Sequence, residues 1–186
     1  MPSRIEIVDQ DLTTAANNAG KSGGNRLDAI IYAASSDFKA SSPQAAALYH
    51  AAGPNMAIEA DQLAPCPVGE ARITRAYNLP CKYLIHTVPP RWGGGEAGED
   101  QTLAGCYRNA LHLAKSYDIN SIALAALGGE GGDGGAGFPQ LRAAHIAMTE
   151  LLLFLKAAPS FKRLLLCCPD EALAQSYESA FDKHAA

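Results

Sequence analysis

Ten residues of this chain, Gly128-Gly129-Glu130-Gly131-Gly132-Asp133-Gly134-Gly135-Ala136-Gly137, carry a glycine at nearly every second position. Backbone without Cβ atoms can aim several N–H groups at one point, and converging N–H groups bind an anion such as a phosphate. The run follows the aliphatic stretch Ser121–Ala125 and leads through Phe138-Pro139 into a segment of helical period, so a helix N-terminus with its partial positive charge falls beside it. It matches neither Gly-x-Gly-x-x-Gly nor the Walker pattern, and plain flexible loops can be equally rich in glycine. Glu130 and Asp133 stand inside the run, where two carboxylates repel a diphosphate unless they point outward. On this segment alone, phosphate binding and an ordinary loop both stay open.

Other titratable groups could move protons. Asp133, Asp37 and His50 lie in or beside the two candidate loops, although the expectation for each is a solvated loop or helix residue. His86, enclosed in Leu84-Ile85-His86-Thr87-Val88, reads as a hydrogen-bonded structural residue. The five cysteines, Cys66, Cys81, Cys106, Cys167 and Cys168, are odd in number and lack Cys-x-x-Cys spacing. They read as reduced core residues, with no zinc site and no redox cofactor implied.

Positioning such groups requires a framework, and the hydrophobic pattern supplies one. Short aliphatic runs at Ile5–Val8, Ala29–Ala33, Ala71–Arg75, Tyr83–Val88, Ser121–Ala125 and Leu164–Cys168 predict strands, the later ones buried on both faces. Between them, Leu103, Cys106, Tyr107, Ala110, Leu111 and Ala114 fall three or four apart. The same spacing joins Leu141, Ala144, His145, Met148, Leu151, Leu152 and Leu155, so each set predicts a helix with one apolar stripe. A last helix presents Leu173, Tyr177, Ala180 and Phe181, with Asp170 as its N-cap, and another is expected over Pro43–Ala52, capped by Ser42. The polar segment from Ala15 to Arg26 reads as a mobile surface excursion. Strands alternating with helices predict an α/β layered domain.

With 186 residues, 48% of them apolar and 18% charged, the chain suits a single folded domain over 1–186. A formal charge of −4 argues against general nucleic-acid binding, leaving RNA a minor option. Arg72, Arg75, Lys82 and Arg91 read as a solvated face. The opening Met-Pro-Ser-Arg-Ile-Glu has no basic segment before an apolar run, and no stretch is long and apolar enough to span a bilayer. The expectation is an intracellular protein, cytoplasmic or nuclear, that needs no membrane.

Longer motifs are more specific. Cys66-Pro67-Val68-Gly69-Glu70-Ala71-Arg72-Ile73-Thr74, followed by Tyr77-Asn78-Leu79-Pro80-Cys81-Lys82-Tyr83-Leu84-Ile85-His86-Thr87-Val88, closely resembles the central signature of macrodomains, modules that hold ADP-ribose. Cys106-Tyr107-Arg108-Asn109-Ala110-Leu111 and Gly137-Phe138-Pro139 resemble the family's next landmarks in the right order, and Gln10-Asp11-Leu12-Thr13 is similar to its opening motif. The likeness covers nearly the whole chain. It implies a three-layer α/β/α fold around a mixed, largely parallel sheet.

By that resemblance Asp11 receives the adenine amino group with the backbone of Leu12 alongside, although an aspartate there can equally be a helix cap. Backbone N–H groups of Gly134, Gly135 and their neighbours Ala136, Gly137 and Phe138 would hold the phosphates, and Ser35 would face the distal ribose. Several positions depart from the family pattern. Tyr32-Ala33-Ala34-Ser35 stands where the family has Asn-Ala-Ala-Asn, and Ala40-Ser41-Ser42-Pro43 replaces a glycine-rich turn. The aspartate of family hydrolases corresponds to Ala45, the aromatic over the distal ribose to Ala136 and the adenine-stacking aromatic to Pro169. The proline-bearing turn and Leu48-Tyr49-His50-Ala51-Ala52-Gly53-Pro54 resemble the divergent macrodomain of ganglioside-induced differentiation-associated protein 2.

The resemblance therefore implies a non-catalytic, monomeric binding module for ADP-ribose or a related nucleotide, alone or carried on an ADP-ribosylated protein. Two alternatives stay beside it: hydrolysis of ADP-ribosyl or acetyl esters, with the catalytic residues unknown, and a scaffold that contacts protein or RNA.

Overall fold

The computed structural model describes residues 4–19, 21, 26–129 and 137–185. Its elements run β1 (Ile5–Asp9), α1 (Leu12–Ala19), β2 (Ala29–Ala33), α2 (Pro43–Ala52), α3 (Pro54–Leu63), β3 (Ala71–Arg75), β4 (Tyr83–Thr87), α4 (Glu99–Ser116), β5 (Ser121–Ala125), α5 (Gln140–Ala157), β6 (Arg163–Cys168) and α6 (Glu171–Ala185). The strands form one sheet in the order β1-β6-β5-β2-β4-β3. Its first five strands are parallel, and β3 joins the edge antiparallel to β4 with Ile73 opposite Ile85.

Alternation along the central strands divides the core into two layers. Ile31, Ile85, Leu124 and Leu166 face one cluster, built with Leu103 and Tyr107 of α4, Met148 of α5 and Tyr177 of α6. Ile30, Tyr32, Leu84 and Leu165 face the other, built with Leu12 of α1, Leu48 of α2 and Met56 of α3. A mixed sheet between two helical layers is the expected three-layer architecture. Each large aliphatic side chain buried here contributes about 1.5–3 kcal/mol. All five cysteines are buried and free, as their apolar settings predict. Among the described residues, no helix is long and apolar enough to cross a membrane.

The expected caps form as well. Ser42 Oγ accepts the Ala45 N–H at 3.1 Å with Pro43 in the first turn of α2, and Asp170 Oδ1 accepts the Leu173 N–H at 2.8 Å at the start of α6. One expectation is corrected. The excursion expected from Ala15 to Arg26 begins inside α1, where Ala15, Ala16 and Ala19 are buried. Their small side chains let the helix lie close against the sheet, outweighing the weak helix propensity of its Thr and Asn residues. Gly20 and residues 22–25 of that segment lie outside the described residues.

Candidate functional site

Because five strands are parallel, the carboxyl ends of β1, β6, β5, β2 and β4 share one edge of the sheet in that order. β5 leads to α5 on one face, whereas β2 leads to α2 on the other. Adjacent strands whose connections leave for opposite faces open a crevice at their carboxyl ends, the usual ligand position in such sheets. The residues after β2 (Ala34, Ser35) and β5 (Ala126–Gly129) form its two walls. Those after β1 (Gln10, Asp11) and β6 (Pro169) lie at one end.

Asp11 sits at the N-terminus of α1. Its Oδ1 accepts the Thr14 N–H at 2.9 Å, and its Oδ2 accepts the Thr14 hydroxyl. These bonds, the hydroxyl first, hold the carboxyl below its ordinary range, so it is ionised at neutral pH. The group is thus a helix cap, and being exposed it retains lone pairs toward solvent. Leu12 buries its side chain completely, while its amide belongs to the first turn of α1, whose N–H groups have no intrahelical acceptor.

The base of the glycine loop is anchored three times. Leu127 N–H donates to the buried Tyr107 hydroxyl oxygen at 3.0 Å, and Phe138 N–H donates to Gly128 O at 2.8 Å. Gly137 packs so closely that a Cβ there would meet Gly129 O at 2.0 Å, and Gly128 has φ +85°. Both positions therefore require glycine. Phe138 spends its ring on packing, 5% exposed and 4.9 Å from the Trp92 ring. With its N–H given to Gly128 O, neither its ring nor its amide is left for a ligand, which corrects the expectation that Phe138 N–H holds a phosphate. Gly134, Gly135 and Ala136, with Glu130 and Asp133, lie outside the described residues.

Sequence reasoning missed the neighbouring support. Buried Glu99 accepts N–H groups from Gly93 at 3.0 Å, Gly95 at 3.2 Å and Ala97 at 2.9 Å; its own N–H first, and then these, hold its carboxyl below the ordinary range. The glycine run 93–95 was the available signal: here the converging N–H groups meet a carboxylate of the chain itself. Arg142 lies over Trp92 at 4.9 Å and forms a bidentate pair with Asp100.

On the β2 wall, Ser35 is buried, and its hydroxyl faces Asp37 Oδ1 at 2.7 Å and Lys39 O at 3.0 Å. Asp37 also accepts Lys39 N–H, and its carboxyl is lowered chiefly by the Ser35 hydroxyl. It ties its own turn and is a weak base. His50 is exposed on the last turn of α2, about 10 Å along the axis from Pro43 at its start. Ala45 is buried in the first turn of that helix, and Pro169 is exposed after β6.

Behind this wall, His86 is fully buried, with Tyr32 Oη 2.6 Å from its Nδ1 and Thr74 Oγ1 2.9 Å from its Nε2. Burial pushes its pKa down to about 3, so the ring is neutral and structural. A groove of about 430 Å³ lies elsewhere, between α4 and α5, lined by Arg108, Asn109, His112, Lys115, Glu150 and Leu153. Among the described residues, no three His, Cys, Asp or Glu side chains gather as for a metal ion.

Comparisons with known proteins agree with this architecture. A family model described as Macro domain matches residues 31–147. A macro domain-containing protein of Methanosarcina mazei is 42% identical over 158 residues, covering 85% of this chain and 82% of that protein. An O-acetyl-ADP-ribose deacetylase of Citrobacter rodentium is 36% identical over 183 residues, with 96% and 95% covered. Among solved structures, an Oceanobacillus iheyensis macrodomain with ADP superposes with a TM-score of 0.79 at 27% identity, over 97% of this chain and 91% of that one. The Trypanosoma brucei macrodomain in complex with ADP-ribose gives 0.78 at 28% identity, over 95% and 68%. The macro domain of ganglioside-induced differentiation-associated protein 2 gives 0.81 at 22% identity, over 95% and 81%, a likeness of fold.

Proposed function

As the chain belongs to the macrodomain family, we propose that it is a binding module for an adenosine diphosphate nucleotide, ADP-ribose or a relative, held across the carboxyl edge of its sheet. The observation that carries this reading is the divergence of the chain after β5 and β2, adjacent strands, to opposite faces of the sheet, with Leu127, Gly128, Gly137 and Phe138 fixed at the carboxyl end of β5. Related macrodomains of known structure hold ADP and ADP-ribose. In this reading Asp11 and the Leu12 amide take the base, and backbone N–H groups of Gly134, Gly135, Ala136 and Gly137 take the diphosphate, with Ser35 on the opposite wall; the Phe138 N–H, already given to Gly128 O, is not among them. Residues 1–186 act as one monomeric domain, and the nucleotide is free or attached to a protein.

Relatives named O-acetyl-ADP-ribose deacetylase make ester hydrolysis the second reading. Against it, the family aspartate's position is taken by Ala45, whose methyl group is buried in the core, and Asp37 is tied into its own turn. The test is titration calorimetry with ADP and ADP-ribose on wild type and Asp11→Ala. Losing a hydrogen bond to a charged group costs about 1.5–3 kcal/mol, so the variant should bind roughly 10- to 100-fold more weakly. It also loses a helix cap at about 1 kcal/mol, so thermal unfolding is followed in parallel. Equal affinity in a folded variant would remove Asp11 from the site.

A further inference from the structure

Several hydrogen-bonding groups of the turn from Ser35 to Ser42 are directed back into the turn itself or the start of α2, while Lys39 Nζ pairs with Asp61 and Ser36 O accepts the Cys66 N–H. The Ser35 hydroxyl faces Asp37 Oδ1 and Lys39 O, Lys39 N–H donates to the same Asp37 oxygen at 3.0 Å, and Phe38 N–H donates to Ser35 O at 3.0 Å. Ser41 N–H donates to Lys39 O at 2.8 Å, Ser42 Oγ is occupied by Ala45 N–H, and Pro43 has no N–H.

The turn is also clamped from below. Phe38 adopts φ +53°, an unfavourable conformation for a bulky side chain, yet it is 3% exposed with its ring 5.0 Å from that of His86. Its carbonyl receives the Tyr49 hydroxyl, and His86 is fixed on both ring nitrogens by Tyr32 and Thr74.

A nucleotide with its base at the end of β1 and its phosphates at the loop after β5 would carry any further group toward the end of β2, the next strand in the sheet. We propose that the Ser35–Ser42 turn is a plug that ends the pocket at the diphosphate, so that this site selects nucleoside diphosphates of the ADP type and gains nothing from a second ribose. This rests on the nucleotide-binding reading above. The hydroxyl groups of a second ribose give up water on burial and must be matched by the protein. At the plug the Ser35 hydroxyl and the N–H groups of Phe38, Lys39 and Ser41 already have partners, and the Asp37 carboxylate is among the acceptors.

The experiment is calorimetric titration of the full chain with ADP and with ADP-ribose, in wild type and in Phe38→Gly, whose glycine relaxes the positive φ and empties the space over His86. For wild type, ADP-ribose should bind within about threefold of ADP or more weakly, and in Phe38→Gly it should become at least about fivefold the tighter of the two. Circular dichroism checks the variant's fold, and if it does not fold, Tyr49→Phe, which unclamps the Phe38 carbonyl, replaces it with the same expectation. Wild type preferring ADP-ribose by about tenfold or more overturns the plug and leaves the nucleotide site standing. A folded variant with no gained preference also overturns it. No binding of either ligand at millimolar concentration overturns both readings.

Discussion

Lowering the pH from 7 to 5 should cost this chain about 2 kcal/mol of folding stability, and His86→Gln should remove that cost. His86 is fully buried, and burial pushes its pKa from an ordinary 6.5 down to about 3. The unfolded chain takes up a proton as pH falls through 6.5, whereas the folded chain does not until about 3. The neutral ring thus contributes stability that is complete above the unfolded pKa and is lost as pH falls below it. At pH 5 the gap is about 1.5 units, and at 1.36 kcal/mol per unit this gives ~2 kcal/mol. Asp11, Asp37 and Glu99 are lowered carboxyls, whose contributions disappear only below the ordinary carboxylate range, outside this window. The assay is urea unfolding followed by the fluorescence of the one tryptophan, Trp92, at both pH values. His86→Gln keeps a donor and an acceptor for Tyr32 and Thr74, and the other histidines remain in place as the internal control. A wild-type loss below about 0.5 kcal/mol, or an equal loss in the variant, refutes the assignment of this effect to His86.

Three further outcomes are expected. Gly137→Ala puts a Cβ 2.0 Å from Gly129 O, so the loop base must open, destabilising the fold by about 1–3 kcal/mol and weakening ADP binding about tenfold in calorimetry. Unchanged affinity would place the phosphates elsewhere. Ser42→Ala removes the cap of α2 and should cost about 1 kcal/mol in urea unfolding, and no change would mean that the Ser42–Ala45 bond contributes nothing. Burial pushes Cys106 up to about 11 and Cys81, Cys167 and Cys168 up to about 12, so a thiol reagent at pH 8 should label them only in denaturant. Fast labelling of the folded chain would contradict their burial.

Strands and long helices were legible because one period dominates each of them: alternating or continuous aliphatic residues in Ala29–Ala33 and Ser121–Ala125, and repeats of three and four in α4 and α5. Two short helices were not. α1 is Leu-Thr-Thr-Ala-Ala-Asn-Asn-Ala, whose buried face is one leucine and three alanines, and α3 buries only Met56 and Ala60. Such faces give little periodic signal, and the sheet they pack on decides their state. At the candidate site, motif order pointed to Asp11 and Ser35, but a motif does not show that Thr14 or Asp37 already binds each side chain. Phe38 and Tyr49 were invisible because their meeting depends on a positive φ and on packing against His86, which is distant in sequence.

The most direct test of nucleotide binding across the carboxyl edge of the sheet is a titration of the isotopically labelled chain with ADP, followed through its backbone amide resonances. The account predicts that the largest shifts fall on Asp11 to Thr14, Ala34, Ser35, Gly128, Gly129, Gly137 and Phe138. Shifts gathered instead at Arg108, His112, Lys115 and Glu150, in the groove between α4 and α5, or no shifts at millimolar ADP, would contradict it.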